Sequence, residues 1–291
     1  MSYNVPLNFD LAGKTAVVTG GGGVLCSGFS KTLAAAGARV AVCDLRLEAA
    51  EKVAEDIRAN GGDAIAVAMN VLDKKSVEEA RDAICKKYGK VDILLNGAGG
   101  NNPKGSTTRD NLTPDEIAEL DANGTIEGVK TFFDLDPDGI SFVFNLNFLG
   151  TLIPTQVFAR DMAKHGGTII NVSSMNAFRP LTRIPAYSGA KAAISNFTQW
   201  LAVHFAPVGI RVNAIAPGFF LTEQNRTLLT NPDGSLTARA DKIIAHTPMS
   251  RFGVPADIDG TLLWLADDRH SAFVDGVVIP VDGGFAAYSG V

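Results

Sequence analysis

The sequence predicts an α/β protein built on a single doubly wound parallel sheet of about seven strands. Three observations point there. Short β-branched runs alternate with amphipathic helical stretches along nearly the whole chain, the connections between them are mostly short, and no internal repeat or low-complexity tract interrupts the alternation. With 291 residues, 46% of them apolar and 20% charged, the chain has an ordinary globular composition and enough length for one deep core. One domain is therefore expected over residues 1–291, with two irregular excursions at 103–138 and 219–246.

Residues 15–19 (TAVVT) are a β-branched run ending in glycines, as in a buried parallel strand. Four glycines follow at 20–23. Leu25, Phe29 and Leu33 then recur at i, i+4 and i+8 before Gly37, a helical stripe closed by a C-terminal glycine. A second strand, 39–43, ends at Asp44. The pattern repeats with a helix at 48–59, a strand at 64–69, a helix at 76–88 and a strand at 91–95. After Asn96 the regularity lapses. Residues 103–138 are polar and rich in Gly, Pro, Asp, Asn and Thr, with helical spacing only over 115–120. A loop of this length inside a compact domain is usually functional or mobile. A long helix at 139–164, a strand at 168–172, a helix at 187–205 and a strand at 211–215 restore the alternation. The second excursion then precedes a helix at 255–266 and a last strand at 277–281. Both excursions follow the C-terminal end of a strand, the edge where such sheets bind ligands.

Composition excludes several classes. A net charge of −5 argues against a general nucleic-acid binder and has the wrong sign for attraction to anionic membranes. No apolar run approaches about 18 residues, so no membrane span is expected. The opening MSYNVPLNFDLAGK lacks the basic and apolar regions of a signal peptide. Cys26, Cys43 and Cys85 are odd in number, have no metal-ligand spacing and sit in apolar surroundings, which predicts reduced core residues of a cytoplasmic protein. The four histidines form no ligand pair, so no metal is expected, and no G-x-S-x-G elbow supports a hydrolase.

Strand, glycines, helix, second strand, acid is the order of a dinucleotide-binding Rossmann fold. Gly20, Gly22 and Gly23, with the backbone of Val24 and Leu25, would turn amide N–H groups and a helix N-terminus toward a pyrophosphate. Asp44, 24 residues after Gly20, can accept hydrogen bonds from ribose hydroxyls and repel a 2′-phosphate, which favours NAD over NADP. Further along, SMNAFRPLTRIPAYSGAK sets Tyr187 thirteen residues after Ser174 and Lys191 four residues after Tyr187. Tyrosine and lysine at i, i+4 share one helix face. An ammonium beside a phenol favours its ionised form, making the tyrosine a usable proton donor and acceptor. Ser174 can hydrogen-bond the oxygen that the tyrosine protonates.

These motifs together resemble the short-chain dehydrogenase/reductase family, over nearly the whole chain. The family fingerprint T-G-x-x-x-G-x-G reads TGGGGVLC here, so Val24 and Cys26 stand where glycines are usual, and the helical stripe fixes that register. The resemblance implies adenosine contacts from Asn70, Val71, Asn96, Ala98 and Gly99, with the segment from Asn96 to Gly99 also supporting the sheet. It implies nicotinamide contacts from Pro217, Gly218, Phe220 and Thr222 in PGFFLT, and ribose contacts from Tyr187 and Lys191. Asn147, from NFLG in the long helix, is implied to hold a relay water beside the catalytic Ser174, Tyr187 and Lys191, while Ser173 keeps a plain strand-end role.

Within the family, NAFRPLTRIPAYSGAK, APGFFLTEQNR, HTPMSRFG and DGGFAAYSGV look like the branch of D-mannonate oxidoreductases (fructuronate reductases) of the short type. That implies NADH-linked reduction of D-fructuronate to D-mannonate in hexuronate breakdown. The excursion at 219–246 would serve as a substrate lid, and Ser174, Asn176, Arg179 and Arg183 as substrate contacts, an arginine fork suiting a carboxylate. Gln224, Asn225 and Arg226 add amide and basic groups nearby. Another carbonyl reductase, of gluconate or 3-oxoacyl type, and a non-catalytic nucleotide binder are the alternatives. A homotetramer through the two long helices is also implied, with the tail at 285–291 covering a neighbour's site.

Overall fold

A computed structural model describes residues 8–221 and 229–290. Its apolar runs form seven strands: β1 (Thr15–Thr19), β2 (Arg39–Asp44), β3 (Asp63–Ala68), β4 (Ile93–Asn96), β5 (Gly167–Val172), β6 (Ile210–Pro217) and β7 (Val278–Val281). They lie in one sheet in the order β3-β2-β1-β4-β5-β6-β7, each pair parallel. The winding reverses at β1, so a crevice opens beyond the paired ends Thr19 and Asn96 of β1 and β4.

Helices cover both faces, and alternate strand residues feed two cores. Val18, Val40 and Leu95 pack with Phe29 and Leu33 of α1 (Val24–Ala35) and with α2 (Leu47–Ala59). Val17, Ala41 and Leu94 face the other way, against Ile84 of α3 (Lys74–Tyr88) and the long helix that precedes β5. Because both faces are covered, the strands read as continuous apolar runs rather than alternating ones.

Where the helices differ from the sequence expectation, capping residues explain it. In the first excursion α4 (Pro114–Asn123) is longer than the 115–120 stretch, because Thr113 and Glu116 close a capping box around its start. It buries none of its residues, so periodicity gave it little signal. The long helix is α5 (Pro137–Phe144) and α6 (Gly150–Met162), joined by a π-helical turn at Asn145–Leu149. It starts early because Asp136 caps it and Pro137 takes the first position. Contrary to the sequence reading, this 26-residue helix is long and apolar enough to cross a bilayer. Half of its apolar stretch is buried inside the fold, with Val143, Phe158 and Met162 in the cores, so its apolarity belongs to packing.

After β5, α7 (Pro185–Phe205) also begins on a proline. The second excursion carries an unexpected helix, α8 (Ala238–Ala245), capped by Thr237 and packed through Ala240 and Ile243 onto Leu229, Phe219, Leu221 and Phe252. Helix α9 (Ala256–Ala266) leads into β7. Cys26 and Cys43 are core residues as expected, whereas Cys85 is only partly buried on α3.

Candidate active site

The glycine loop after β1 is shaped by close approaches. Gly20 has φ +64°, and a Cβ there would lie 2.9 Å from Ala98 Cα in the loop after β4. At Gly22 a Cβ would meet Ala49 Cβ at 2.7 Å, and the Gly22 N–H donates to Asp44 Oδ2 at 3.1 Å. Asp44 Oδ1 accepts from the Arg46 N–H at 3.0 Å, so the carboxylate is held at the end of β2 beside the loop. Gly23 caps α1 without a side-chain hydrogen bond, and no acid stands in the first turn, which suits an anion at this helix end. Val24 is 39% exposed, so its side chain lies outward instead of crowding the turn. Cys26 points inward at Gly97, where any Cβ would overlap its sulfur. The cysteine that replaces a family glycine therefore fits because position 97 lacks a side chain. Burial pushes its thiol up to about 12.

Thr19 Oγ1 accepts from the N–H groups of Gly97 and Ala98 at 3.0 and 3.1 Å, tying the β1 and β4 loops together. Asn96 was expected to flank an adenosine. Its side chain is buried in β4 and donates to Thr155 and Asn171 at 3.0 and 2.9 Å, the sheet-supporting role also expected of this segment. Asn70 is exposed at the end of β3, and Val71 beside it packs toward Gly150 of α6. Pro217 ends β6 and the Gly218 N–H bonds the Val281 carbonyl at 2.9 Å. Phe220 puts its ring in the core against Gly253. Thr222, like Gln224, Asn225 and Arg226, lies outside the described residues.

Asn147, Ser174, Tyr187 and Lys191 converge beside the same crevice. Asn147 sits in the π-helical turn, where its Nδ2 donates to the carbonyls of Val143 and Gly100, both at 2.8 Å. Its buried Oδ1 has no partner, and a Cβ on Gly99 would stand 2.6 Å from that oxygen and 3.3 Å from Lys191 Nζ. Tyr187 and Lys191 lie one turn apart at the start of α7, with the ammonium 5.6 Å from the phenol ring centre. Burial pushes the Tyr187 phenol up, and a hydrogen bond from Ser174 opposes that. The expected lowering by Lys191 is missing in this arrangement. Lys191 Nζ donates to the Val172 carbonyl at 2.7 Å, and burial lowers its ammonium to about 8. Ser173, by contrast, bonds Ser195 at 2.7 Å and the Lys191 carbonyl at 3.2 Å, a supporting role behind the site.

The expected substrate contacts divide. Asn176 is buried, with an Oδ1 that has no partner. Arg179 donates from Nε to the Ala286 carbonyl at 3.1 Å, bracing the C-terminal tail against its own subunit. Phe285 meets Phe219 edge-on in the same place, so this tail packs against the second excursion of its own chain. Arg183 Nε donates to Asp110 Oδ1 at 2.6 Å, which ties this arginine to the first excursion. Asp110 and Gly97 were missed in the sequence. Asp110 looks like any acid of a polar loop, while Gly97 adjoins the Asn-Ala-Gly pattern as an extra glycine that could have been paired with Cys26.

Comparison with known proteins agrees with this geometry. A family model described as short chain dehydrogenase matches residues 14–233. An uncharacterized oxidoreductase of Haemophilus influenzae is 57% identical over 291 residues, covering 100% of this chain and 99% of that protein. The 7alpha-hydroxysteroid dehydrogenase of Escherichia coli is 31% identical over 278 residues, covering 95% and 96%. A solved structure from Haemophilus influenzae, provisionally assigned as a D-mannonate oxidoreductase and holding NAD, superposes with a TM-score of 0.91. It is 56% identical and covers 98% of this chain and 99% of its own.

Proposed function

The protein belongs to the short-chain dehydrogenase family, and from that premise we propose that it is an NAD-dependent oxidoreductase reducing D-fructuronate to D-mannonate. The observation that carries the reaction type is the convergence of Ser174, Tyr187 and Lys191 beside a crevice whose loops fit a dinucleotide. The fit rests on this structure's own features: Gly20 and Gly22 leave no room for a Cβ, α1 has no capping side chain, and Asp44 ends β2. The glycine loop and Asp44 would hold the pyrophosphate and adenosine ribose, and Lys191 the second ribose. When bound, NAD supplies the hydride chemistry.

The protein's own groups handle the proton. Tyr187, kept protonated by burial, donates to the substrate carbonyl oxygen during reduction and takes the proton back from the alcohol in reverse. Ser174 hydrogen-bonds the phenol and the same substrate oxygen, fixing their geometry. Lys191, with its ammonium near 8, is charged at neutral pH and stands 5.6 Å from the phenol ring centre, where it would hold the second ribose beside Tyr187. Asn147, through its unpartnered Oδ1 beside Lys191, holds a water that refills the site with protons.

A sugar acid is supported by the polar walls. Arg179 spends Nε on the tail and keeps its terminal nitrogens for a carboxylate, and Asn176 keeps a buried acceptor for a hydroxyl. The likeness to the NAD-holding Haemophilus influenzae protein points the same way. A homotetramer through the exposed apolar faces of α5 and α7, which carry Phe142, Trp200 and Val203, belongs to the same reading. NADH oxidation measured with D-fructuronate and a panel of other keto-sugar acids tests the substrate. Turnover with D-fructuronate above the rest is expected, and no turnover with any sugar acid would reject the assignment.

A further inference from the structure

We propose that Asp110 is a positioning residue that fastens helix α8 and the 174–187 segment to the first excursion, and so sets the shape of the substrate cleft. Three stretches far apart in sequence meet on this one carboxylate. Oδ1 accepts from Arg183 Nε at 2.6 Å and from Thr182 Oγ1 at 3.0 Å, and Oδ2 accepts from Lys242 Nζ at 2.6 Å. Arg183 and Thr182 stand just before Tyr187, and Lys242 lies on α8, 132 residues beyond Asp110. These donors hold the Asp110 carboxyl well below the usual carboxylate range.

The surroundings are arranged for this contact. Arg183 has φ +70°, a left-handed conformation that a non-glycine residue keeps only when its neighbours impose it. Its carbonyl accepts from the Thr107 N–H at 2.8 Å, so the same arginine meets the excursion through backbone and side chain. Helix α8 buries only Ala240 and Ile243 of its own residues, too little apolar surface to fix its angle over the site. An exposed ion pair alone contributes little, but one carboxylate shared by three donors orients all of them at once. The walls of the cleft are thus held by charge, in a place where the sheet and its cores do not reach.

This rests on the proposed reduction of a sugar acid, so the test has one readout that needs turnover and one that does not. In Asp110→Asn, KM for D-fructuronate should rise about tenfold while kcat stays within about threefold and NADH affinity is unchanged. Amide hydrogen exchange over 238–245 should quicken in the same variant, without substrate present. Lys242→Met, an exposed change that spares the fold, should reproduce the faster exchange and part of the KM rise. Unchanged exchange in both variants would overturn the proposal, as would a parallel loss of NADH affinity or a fall in kcat at constant KM. If wild-type protein fails to turn over D-fructuronate, the substrate reading fails while the exchange experiment still decides the role of Asp110.

Discussion

Lys191→Met separates what the lysine does for catalysis from what it costs the fold. The side chain is 5% exposed, and burial lowers its ammonium from the ordinary 10.5 to about 8. In the unfolded chain the ordinary value returns. The folded state therefore holds this proton less tightly, and the charge costs stability at every pH below both values. The gap, at ~1.4 kcal/mol per pH unit, comes to ~3 kcal/mol. Between pH 8 and 10.5 the unfolded chain binds more protons than the folded one, so this group makes the wild type more stable as pH rises through that window. Methionine carries no charge. The stability of the variant relative to wild type should be greatest below pH 8 and should fall by ~3 kcal/mol by pH 10.5. Loss of the donor to the Val172 carbonyl costs ~1 kcal/mol at all pH values, so the slope rather than the offset carries the test. Cys43 and Tyr187 titrate in both proteins and cancel in the difference. The Lys191 charge acts on Cys26, but burial keeps that thiol protonated across this window with or without the lysine, so the slope still reports Lys191. Urea unfolding of cofactor-free protein across this range measures it, with turnover lost in the variant. A stability difference that is flat with pH would refute the reasoning.

The remaining predictions address the cofactor loops and the substrate. Gly97→Ala forces a Cβ onto the Cys26 sulfur and to 2.9 Å from the Thr19 carbonyl, which should cost ~1–3 kcal/mol. Adding Cys26→Ala should restore part of that, and strictly additive urea-unfolding losses would show that the two positions do not share one space. Asp44→Ala should narrow the preference for NADH over NADPH about tenfold by calorimetry, whereas an unchanged ratio would place the discrimination elsewhere. Arg179→Ala should raise KM for the keto-acid about tenfold or more with kcat little altered; an unchanged KM would leave this arginine only its contact with Ala286.

Much of this was legible in the sequence because parallel strands buried on both faces leave unmistakable apolar runs. TAVVT and RVAVC announce β1 and β2, and the strand–glycine–helix–acid order announces the crevice. Tyr187 and Lys191 could be read because i, i+4 spacing survives any detail of packing. The failures follow from contacts that spacing cannot encode. Arg183 reads in the sequence only as a substrate arginine, since nothing local reveals that Asp110, 73 residues earlier, accepts from its Nε. Asn96 reads as both a sheet support and a cofactor contact, and its strand turns the side chain toward Thr155, which serves the first of these. Helix α8 had a capping Thr237 and two well-spaced apolar residues, but it sits in a stretch too polar to stand out. Lys191 was expected to lower the Tyr187 phenol, and its hydrogen bond to Val172 depends on a strand that only the fold brings near.

Tyr187→Phe tests the central claim most directly, because it removes one oxygen from a half-buried ring and leaves the crevice intact. NADH binding, followed by fluorescence, should match wild type within about twofold, while single-turnover oxidation of bound NADH by D-fructuronate should fall by ~10²-fold or more. Retention of the chemical step at near wild-type rate, with NADH bound normally, would contradict the assignment of Tyr187 as the proton donor.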